Sequence, residues 1–173
     1  MTQPASRLRP QTAITLVLLG VEFLLGMGVN LYVRIPSHHP GSSADNPGNS
    51  YFADVVQSVV WAVAHETPAL VLHVLVGLAL FVSAVVLLVR AIWTRCRAWI
   101  IVAAVGLLGI IAAGFNGGSF LTFDSAAISS LIMSIAFAVA AASYMSGLSL
   151  ARAAEAGTHE VPAESARRTT PTN

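Results

Sequence analysis

The stretch PALVLHVLVGLALFVSAVVLLVRAI, residues 68–92, decides the fold, because it is long and apolar enough to cross a lipid bilayer as one helix. A hydrocarbon core of roughly 30 Å needs about 20 apolar residues, since each helical residue rises about 1.5 Å. Of the 173 residues, 55% are hydrophobic and only 10% are charged. These proportions exclude a soluble globular domain and predict an integral membrane protein in the lipid bilayer.

Three further segments reach the same length, so the chain has four predicted spans at about residues 12–33, 68–92, 98–117 and 125–151. Residues 1–11 come before the first span, which lacks a small-residue cleavage site and is interpreted as a retained anchor. Residues 152–173 are polar, which predicts a disordered cytoplasmic tail. The predicted fold is all-α, a four-helix transmembrane bundle made of two helical hairpins.

The arginines predict the orientation of the four spans. All nine basic residues are arginines, and eight of them share one side of the membrane if the N-terminus is cytoplasmic. Only Arg34 then lies outside. This bias predicts a multi-pass protein of the plasma membrane with both termini in the cytoplasm. The single cysteine, Cys96, excludes an intramolecular disulfide, and the net charge of +1 gives no reason to expect a nucleic-acid partner.

The first outer loop, residues 34–67, has two parts. It begins with a stretch rich in Pro, Gly, Ser and Asn, which is typical of turns. From about residue 52 to 65, apolar side chains then recur at spacings of three and four, which predicts an amphipathic helix on the outer membrane surface. Thr67 and Pro68 follow as the N-cap and first residue of the second span.

Glu22 lies near the middle of the first span, where a charged carboxylate costs roughly 2.5–3.5 kcal/mol to insert. We therefore expect it to face the bundle, on one stripe with Gly26 and Asn30. Such a residue is a candidate for a functional site. The alternative is a neutral carboxyl group that is hydrogen-bonded to another helix.

His73 lies in the outer half of the second span, one helical turn above Gly77. A histidine with a glycine beneath it suits a haem site, because the imidazole can bind the iron while the missing side chain admits the ring. The same pattern also fits a histidine with one interhelical hydrogen bond. Met133 lies at a comparable depth in the fourth span, as a second axial ligand or as apolar filler.

The outer loop holds three more histidines, His38, His39 and His65. Together they are candidates for binding a divalent or cuprous ion near the membrane, and the alternative is three exposed side chains. His65 and His73 do not fit as joint ligands, because eight helical residues separate them by roughly 12 Å along the axis.

Small residues predict how the spans pack. In lipid, helices approach most closely where side chains are small. The fourth span repeats small residues at every fourth position, and the first and third spans carry three glycines each. The positions are Ser130, Ser134, Ala138, Ala142 and Ser146, then Gly20, Gly26 and Gly28, and Gly106, Gly109 and Gly114. We expect tight contacts inside the bundle there, the alternative being space for a flat cofactor.

The stretches LLGVEFLLGMGVNLYV, residues 18–33, and LHVLVGLAL, residues 72–80, resemble one four-helix half of the haem A synthase family. The resemblance covers roughly the first half of the chain. It implies a four-helix membrane architecture, a haem-ligand role for His73 and a pocket of haem or quinone size near the outer face. It does not carry over haem oxidation, because the other spans lack histidine and HETP at residues 65–68 reverses the order of the family's Glu-x-x-His-Arg type of signature.

Three functions remain open at this point. The first is a non-catalytic bundle that supports or modulates a partner, a larger membrane complex or a homo-oligomer, through its helix faces and outer loop. The second is a redox protein that binds haem or quinone, with His73 as ligand and Glu22 as proton partner. The third is a transporter of a small solute or protons that uses Glu22. The first is favoured over an enzyme, since the sequence has no nucleotide-binding loop, catalytic triad or metalloprotease motif.

Overall fold

The computed structural model describes residues 4–43, 50–123 and 127–168, and the side chains of residues 8–152 within these ranges. Described residues form helices and turns and no strand, so the all-α prediction is confirmed. The helices are α1 (Pro4–Tyr32), α2 (Tyr51–His65), α3 (Pro68–Thr94), α4 (Arg97–Thr122) and α5 (Ala127–Arg168).

Four of these helices contain stretches long and apolar enough to cross a membrane: Leu8–Tyr32, Pro68–Thr94, Arg97–Thr122 and Ala127–Arg152. The chain is therefore a multi-pass membrane protein, and the predicted four-helix bundle is confirmed. Some helices run beyond the predicted spans. In particular, α5 continues to Arg168, where the composition suggested a tail without regular structure. Alanine and glutamate are common just after residue 151, and both favour helix.

The spanning helices are arranged as a ring. Helix α1 packs against α3 and α5, and α4 packs against the same two helices, so α1 and α4 are diagonal to each other. Arg95 ends α3 in the left-handed conformation, with φ 55°, and donates its backbone N–H to the carbonyl of Ile92. This cap allows α4 to begin at Arg97. We call the end with this turn the arginine-rich end, and the end with α2 the loop end.

Helix α2 covers part of the loop end, where it packs against α4 and α3. Ser50 caps it by accepting a hydrogen bond from the backbone N–H of Ala53 at 3.3 Å. Its apolar residues are divided between two faces: Val55 is buried, whereas Phe52, Val56 and Val60 are exposed. The exposed set continues the apolar outer surface of the bundle. After α2, Thr67 is the N-cap residue and Pro68 the first helical residue of α3, as predicted.

Helices α4 and α5 make the closest contact in the bundle. Gly106 lies directly against the ring of Tyr144, which is fully buried. Gly109 lies against Ala136 and Ala140, and a Cβ at residue 109 would be 2.8 Å from the Ala136 carbonyl oxygen. The predicted role of glycines in helix packing is confirmed at these two positions.

The ridge predicted to pack α5 inside the bundle lies on the wrong face. Ser134, Ala138, Ala142 and Ser146 are all exposed, and only Ser130, at the loop end, is half-buried. Helix α5 has small residues on two faces, and the face with Ala136 and Ala140 is the one turned inward because it accommodates α4. Open space also surrounds three of the glycines predicted to pack, Gly20, Gly28 and Gly114.

Candidate functional site: a carboxyl–imidazole pair between α1 and α3

The main polar contact inside the bundle joins α1 to α3. Nδ1 of His73 lies 3.0 Å from Oε1 of Glu22, and the two side chains remain 25% and 18% exposed. The sequence suggested each residue separately as a candidate. The fold brings them together because α1 and α3 run antiparallel, so that the loop-end half of one helix meets the loop-end half of the other.

Each side chain occupies the space left by a glycine on the opposite helix. A Cβ at Gly77 would lie 2.7 Å from Oε1 of Glu22, and a Cβ at Gly26 would lie 3.1 Å from Cε1 of His73. The arrangement is reciprocal, since Glu22 is one helical turn from Gly26 and His73 is one turn from Gly77. The two glycines therefore allow the helices to approach while a carboxyl group and an imidazole lie between them.

The pair is close but incompletely hydrogen-bonded. Although Nδ1 of His73 and Oε1 of Glu22 are 3.0 Å apart, the contact does not have the alignment of a hydrogen bond. Nδ1 of His73 and Oε2 of Glu22 are consequently both buried without a hydrogen-bond partner. Buried polar atoms of this kind are uncommon and occur at sites that bind a proton, a water molecule or an ion.

Apolar layers lie on both sides of the pair along the α1–α3 interface. Towards the loop end, Val29 and Leu70 belong to one buried cluster that also includes Ala62 of α2 and Leu121 of α4. Towards the arginine-rich end, Leu19 and Leu80 belong to a second, larger cluster. The pair therefore lies in a short polar segment of an otherwise apolar contact.

A second polar group lies beyond Leu19 and Leu80. Nε2 of Gln11 donates to Oγ of Ser83 at 3.0 Å, and Oγ1 of Thr15 lies 2.8 Å from the same oxygen. Arg90 donates to Oε1 of Gln11 at 3.5 Å. The sequence analysis missed this group. Its signal was present, because Gln11, Thr15 and Glu22 follow each other on one face of α1 at spacings of four and seven.

The predicted haem-site residues have different surroundings from those expected. The gap left by Gly77 contains the carboxyl group of Glu22, so a flat macrocycle would have to displace that side chain. Sδ of Met133 faces α4, where a Cβ at Gly117 would lie 3.7 Å away. Helix α5, which carries Met133, is diagonal to α3 in the ring. His73 and Glu22 are thus brought together, whereas Met133 belongs to another interface.

The loop histidines are not gathered into one site. His39 is buried and stacks on Trp61 with ring centroids 4.2 Å apart. Its ring nitrogens lie 3.0 Å from the carbonyl oxygen of Pro40 and 3.2 Å from that of Leu121, so both already face an oxygen. His38 and His65 are exposed. Within the described ranges, no three His, Cys, Asp or Glu side chains are close enough to hold a metal ion.

His39 instead fastens the outer loop to the bundle. Besides the contact of its ring with the Leu121 carbonyl, the backbone N–H of Ser43 donates to the carbonyl of Thr122 at 2.9 Å. Both acceptors belong to the last turn of α4, whose carbonyls have no partner within the helix. Ser58 of α2 joins the same place through a contact of 3.2 Å with Oγ1 of Thr122.

Comparison of the chain with protein-family models, with curated proteins and with solved structures finds no match. The function therefore has to be argued from the geometry of the chain itself.

Proposed function

We propose that this protein transfers protons across the membrane and that Glu22 and His73 form its proton-binding site. The observation that carries the proposal is the distance of 3.0 Å between Nδ1 of His73 and Oε1 of Glu22 inside the bundle. Ionisable residues within membrane spans are costly to insert and are typical of proton relays. An aliphatic pair would pack these helices without that cost.

The chemistry of the pair suits reversible protonation. With one shared proton, the pair is neutral overall, either as a carboxylic acid beside an imidazole or as a carboxylate beside an imidazolium. Adding or removing a proton leaves one net charge in a medium of low dielectric constant, which favours its onward transfer. Oε2 of Glu22, which has no hydrogen bond, can take up the incoming proton.

The proposed direction of access follows from the arginines. With the arginine-rich end in the cytoplasm, the pair lies in the outer half of the membrane, because His73 is five residues after Pro68 at the start of α3. Protons then enter from the outer side and leave towards the cytoplasm. The orientation belongs to the proposal and is tested by locating an N-terminal tag.

The test is proton flux into lipid vesicles that contain the purified protein and a trapped pH-sensitive dye. Under an imposed potassium diffusion potential, the wild-type protein should acidify the vesicles faster than protein-free vesicles do. Glu22→Gln and His73→Gln should reduce the rate to the protein-free level. Glu66→Gln and His65→Gln are matched controls outside the spans and should behave as wild type. A wild-type rate equal to that of empty vesicles, or full flux in Glu22→Gln, contradicts the proposal.

A second candidate function is contact with another membrane protein, either a second copy or a larger complex. It is favoured by the ridge of α5 formed by Ser134, Ala138, Ala142 and Ser146, which is exposed rather than packed. A row of small residues allows a further helix to approach closely in lipid. Ala138→Leu should weaken association measured by crosslinking in membranes, whereas Ala79→Leu, an exposed alanine of α3, should not. A monomeric wild-type protein rules this function out.

Haem or quinone binding through His73 stays a prediction, with Glu22 as its proton partner. Its support is that a metal-bound histidine typically directs its other ring nitrogen at a carboxylate, as Nδ1 of His73 does here. The absorption spectrum of the protein in mild detergent tests it. A Soret band that disappears in His73→Ala supports haem, and a colourless folded protein contradicts it.

A further inference from the structure

We infer that Leu19 and Leu80 form the barrier that separates the Glu22–His73 pair from a polar, water-accessible compartment made by Gln11, Thr15 and Ser83. The inference rests on the proposed function and adds to it the route by which protons reach the arginine-rich end. It is carried by the register of α1 against α3 and by the contacts of the second polar group.

The register is constant over the whole interface. Glu22 faces Gly77 and Gly26 faces His73, so opposite residue numbers add to 99 in both layers. Seven residues closer to the arginine-rich end, Thr15 contacts Ser83 at 2.8 Å, and the numbers add to 98. Because the helices keep step between these layers, Leu19 and Leu80 lie opposite each other in the layer between them.

The leucine layer is well packed. Leu19 is 4% exposed and Leu80 is 3% exposed, and both belong to the same apolar cluster. Thr15 and Glu22 are separated by seven residues, which is about 10.5 Å along the helix axis. That distance is several times a hydrogen bond, so no proton passes directly from one polar layer to the other. Passage requires the leucine layer to separate or to admit water.

The compartment beyond the barrier is a hydrogen-bonded ring of three residues. Gln11 donates to Ser83, Ser83 contacts Thr15, and Thr15 donates to the carbonyl of Gln11 at 2.9 Å. Hydroxyl groups can donate and accept at once, as a proton-transfer route requires. Gln11 and Ser83 are only half-buried, so water can reach this ring from the arginine-rich end.

The matching layer on the other side is Val29 and Leu70, whose numbers also add to 99 and which are both buried. The pair therefore lies between two apolar layers. Of these, the Leu19–Leu80 layer stands between two polar groups, which makes it the step at which passage towards the arginine-rich end is controlled.

Lowering the barrier should increase flux, an effect that a misfolded variant does not produce. Leu19→Ser and Leu80→Ser should each raise the Glu22-dependent proton flux about tenfold, because a buried leucine side chain no longer has to be displaced. Leu19→Ala serves if the serine variants do not fold. Ile110→Ser, a buried apolar residue of α4 in the same cluster, is the matched control and should not raise flux. Adding Glu22→Gln to Leu19→Ser should abolish the gain.

The compartment can be tested without any flux measurement. In a Cys96→Ser background, which leaves no cysteine, Ser83→Cys should react with a small charged methanethiosulfonate reagent applied from the arginine-rich side. Ala84→Cys, at a fully buried neighbouring position, should not react.

Each outcome is decisive. If Ser83→Cys resists the reagent, or if neither leucine variant raises flux while Glu22→Gln still abolishes wild-type flux, the inference is overturned and the proposed function stands. If Glu22→Gln leaves wild-type flux unchanged, the proposed function fails first. Reaction of Ser83→Cys together with increased, Glu22-dependent flux in Leu19→Ser supports both.

Discussion

Two interfaces of the same bundle use glycine for opposite purposes. Between α4 and α5, Gly106 and Gly109 admit an aromatic ring and the backbone of the facing helix, so the contact is closely packed. Between α1 and α3, Gly26 and Gly77 admit the ionisable side chains of His73 and Glu22. The comparison teaches that a glycine in a membrane span does not by itself indicate close helix packing or a cofactor. What enters its gap decides its role.

The largest expected effect on stability belongs to the α4–α5 interface. Gly106→Val should lower the free energy of unfolding by about 1–3 kcal/mol or prevent folding, because the added side chain overlaps the rigid, buried ring of Tyr144. Thermal unfolding in detergent measures this. Gly114→Val is the control on the same helix, since open space surrounds Gly114. Equal stability of the two variants would show that the α4–α5 contact is not closely packed.

A smaller effect on stability, and a larger one on function, is expected at the α1–α3 interface. Gly77→Ala places a methyl group 2.7 Å from Oε1 of Glu22, so the carboxyl group must rotate away at a cost of about 0.5–1.5 kcal/mol. Proton flux should fall together with the contact to His73, while unfolding changes less than in Gly106→Val. Gly28→Ala, on α1 with no neighbour within 4 Å, should leave flux unchanged. Unchanged flux in Gly77→Ala argues against a role for the carboxyl position.

The smallest effect concerns the polar atom in the α4–α5 contact. The hydroxyl group of Tyr144 is buried and has no hydrogen-bond partner. Tyr144→Phe keeps the ring that fills the space at Gly106 and removes the unpaired hydroxyl, so the protein should be as stable as wild type or more stable by up to about 1 kcal/mol. Thermal unfolding measures the change. A clear loss of stability would mean that the hydroxyl group has a partner, such as a buried water molecule.

The spans were the most predictable part of the molecule. Their existence follows from length and apolarity, which are local properties, and α3 begins at Thr67 and Pro68 because these residues suit a helix start. The ends of α1 and α5 were less predictable. A helix can continue past the apolar segment into polar sequence, so the edge of a hydrophobic stretch need not be the end of the helix.

The candidate site was predictable in part. Glu22 and His73 stand out because an ionisable side chain within a span must be accommodated by the protein. That they meet each other follows from the antiparallel register of α1 and α3, which no single span contains. His39 shows the same limit. From the sequence it was a possible metal ligand, whereas in the fold both its nitrogens face carbonyl oxygens.

By itself the sequence determined that the chain crosses a membrane four times, roughly where each crossing begins, and that a carboxyl group lies within one of them. Only the tertiary structure decided which face of α5 turns inward and that Glu22 lies against Gly77 beside His73. The reason is that lipid is as apolar as leucine, so hydrophobicity drives a span into the membrane without selecting the face that packs. That selection depends on the shape and the hydrogen bonds of the neighbouring helix.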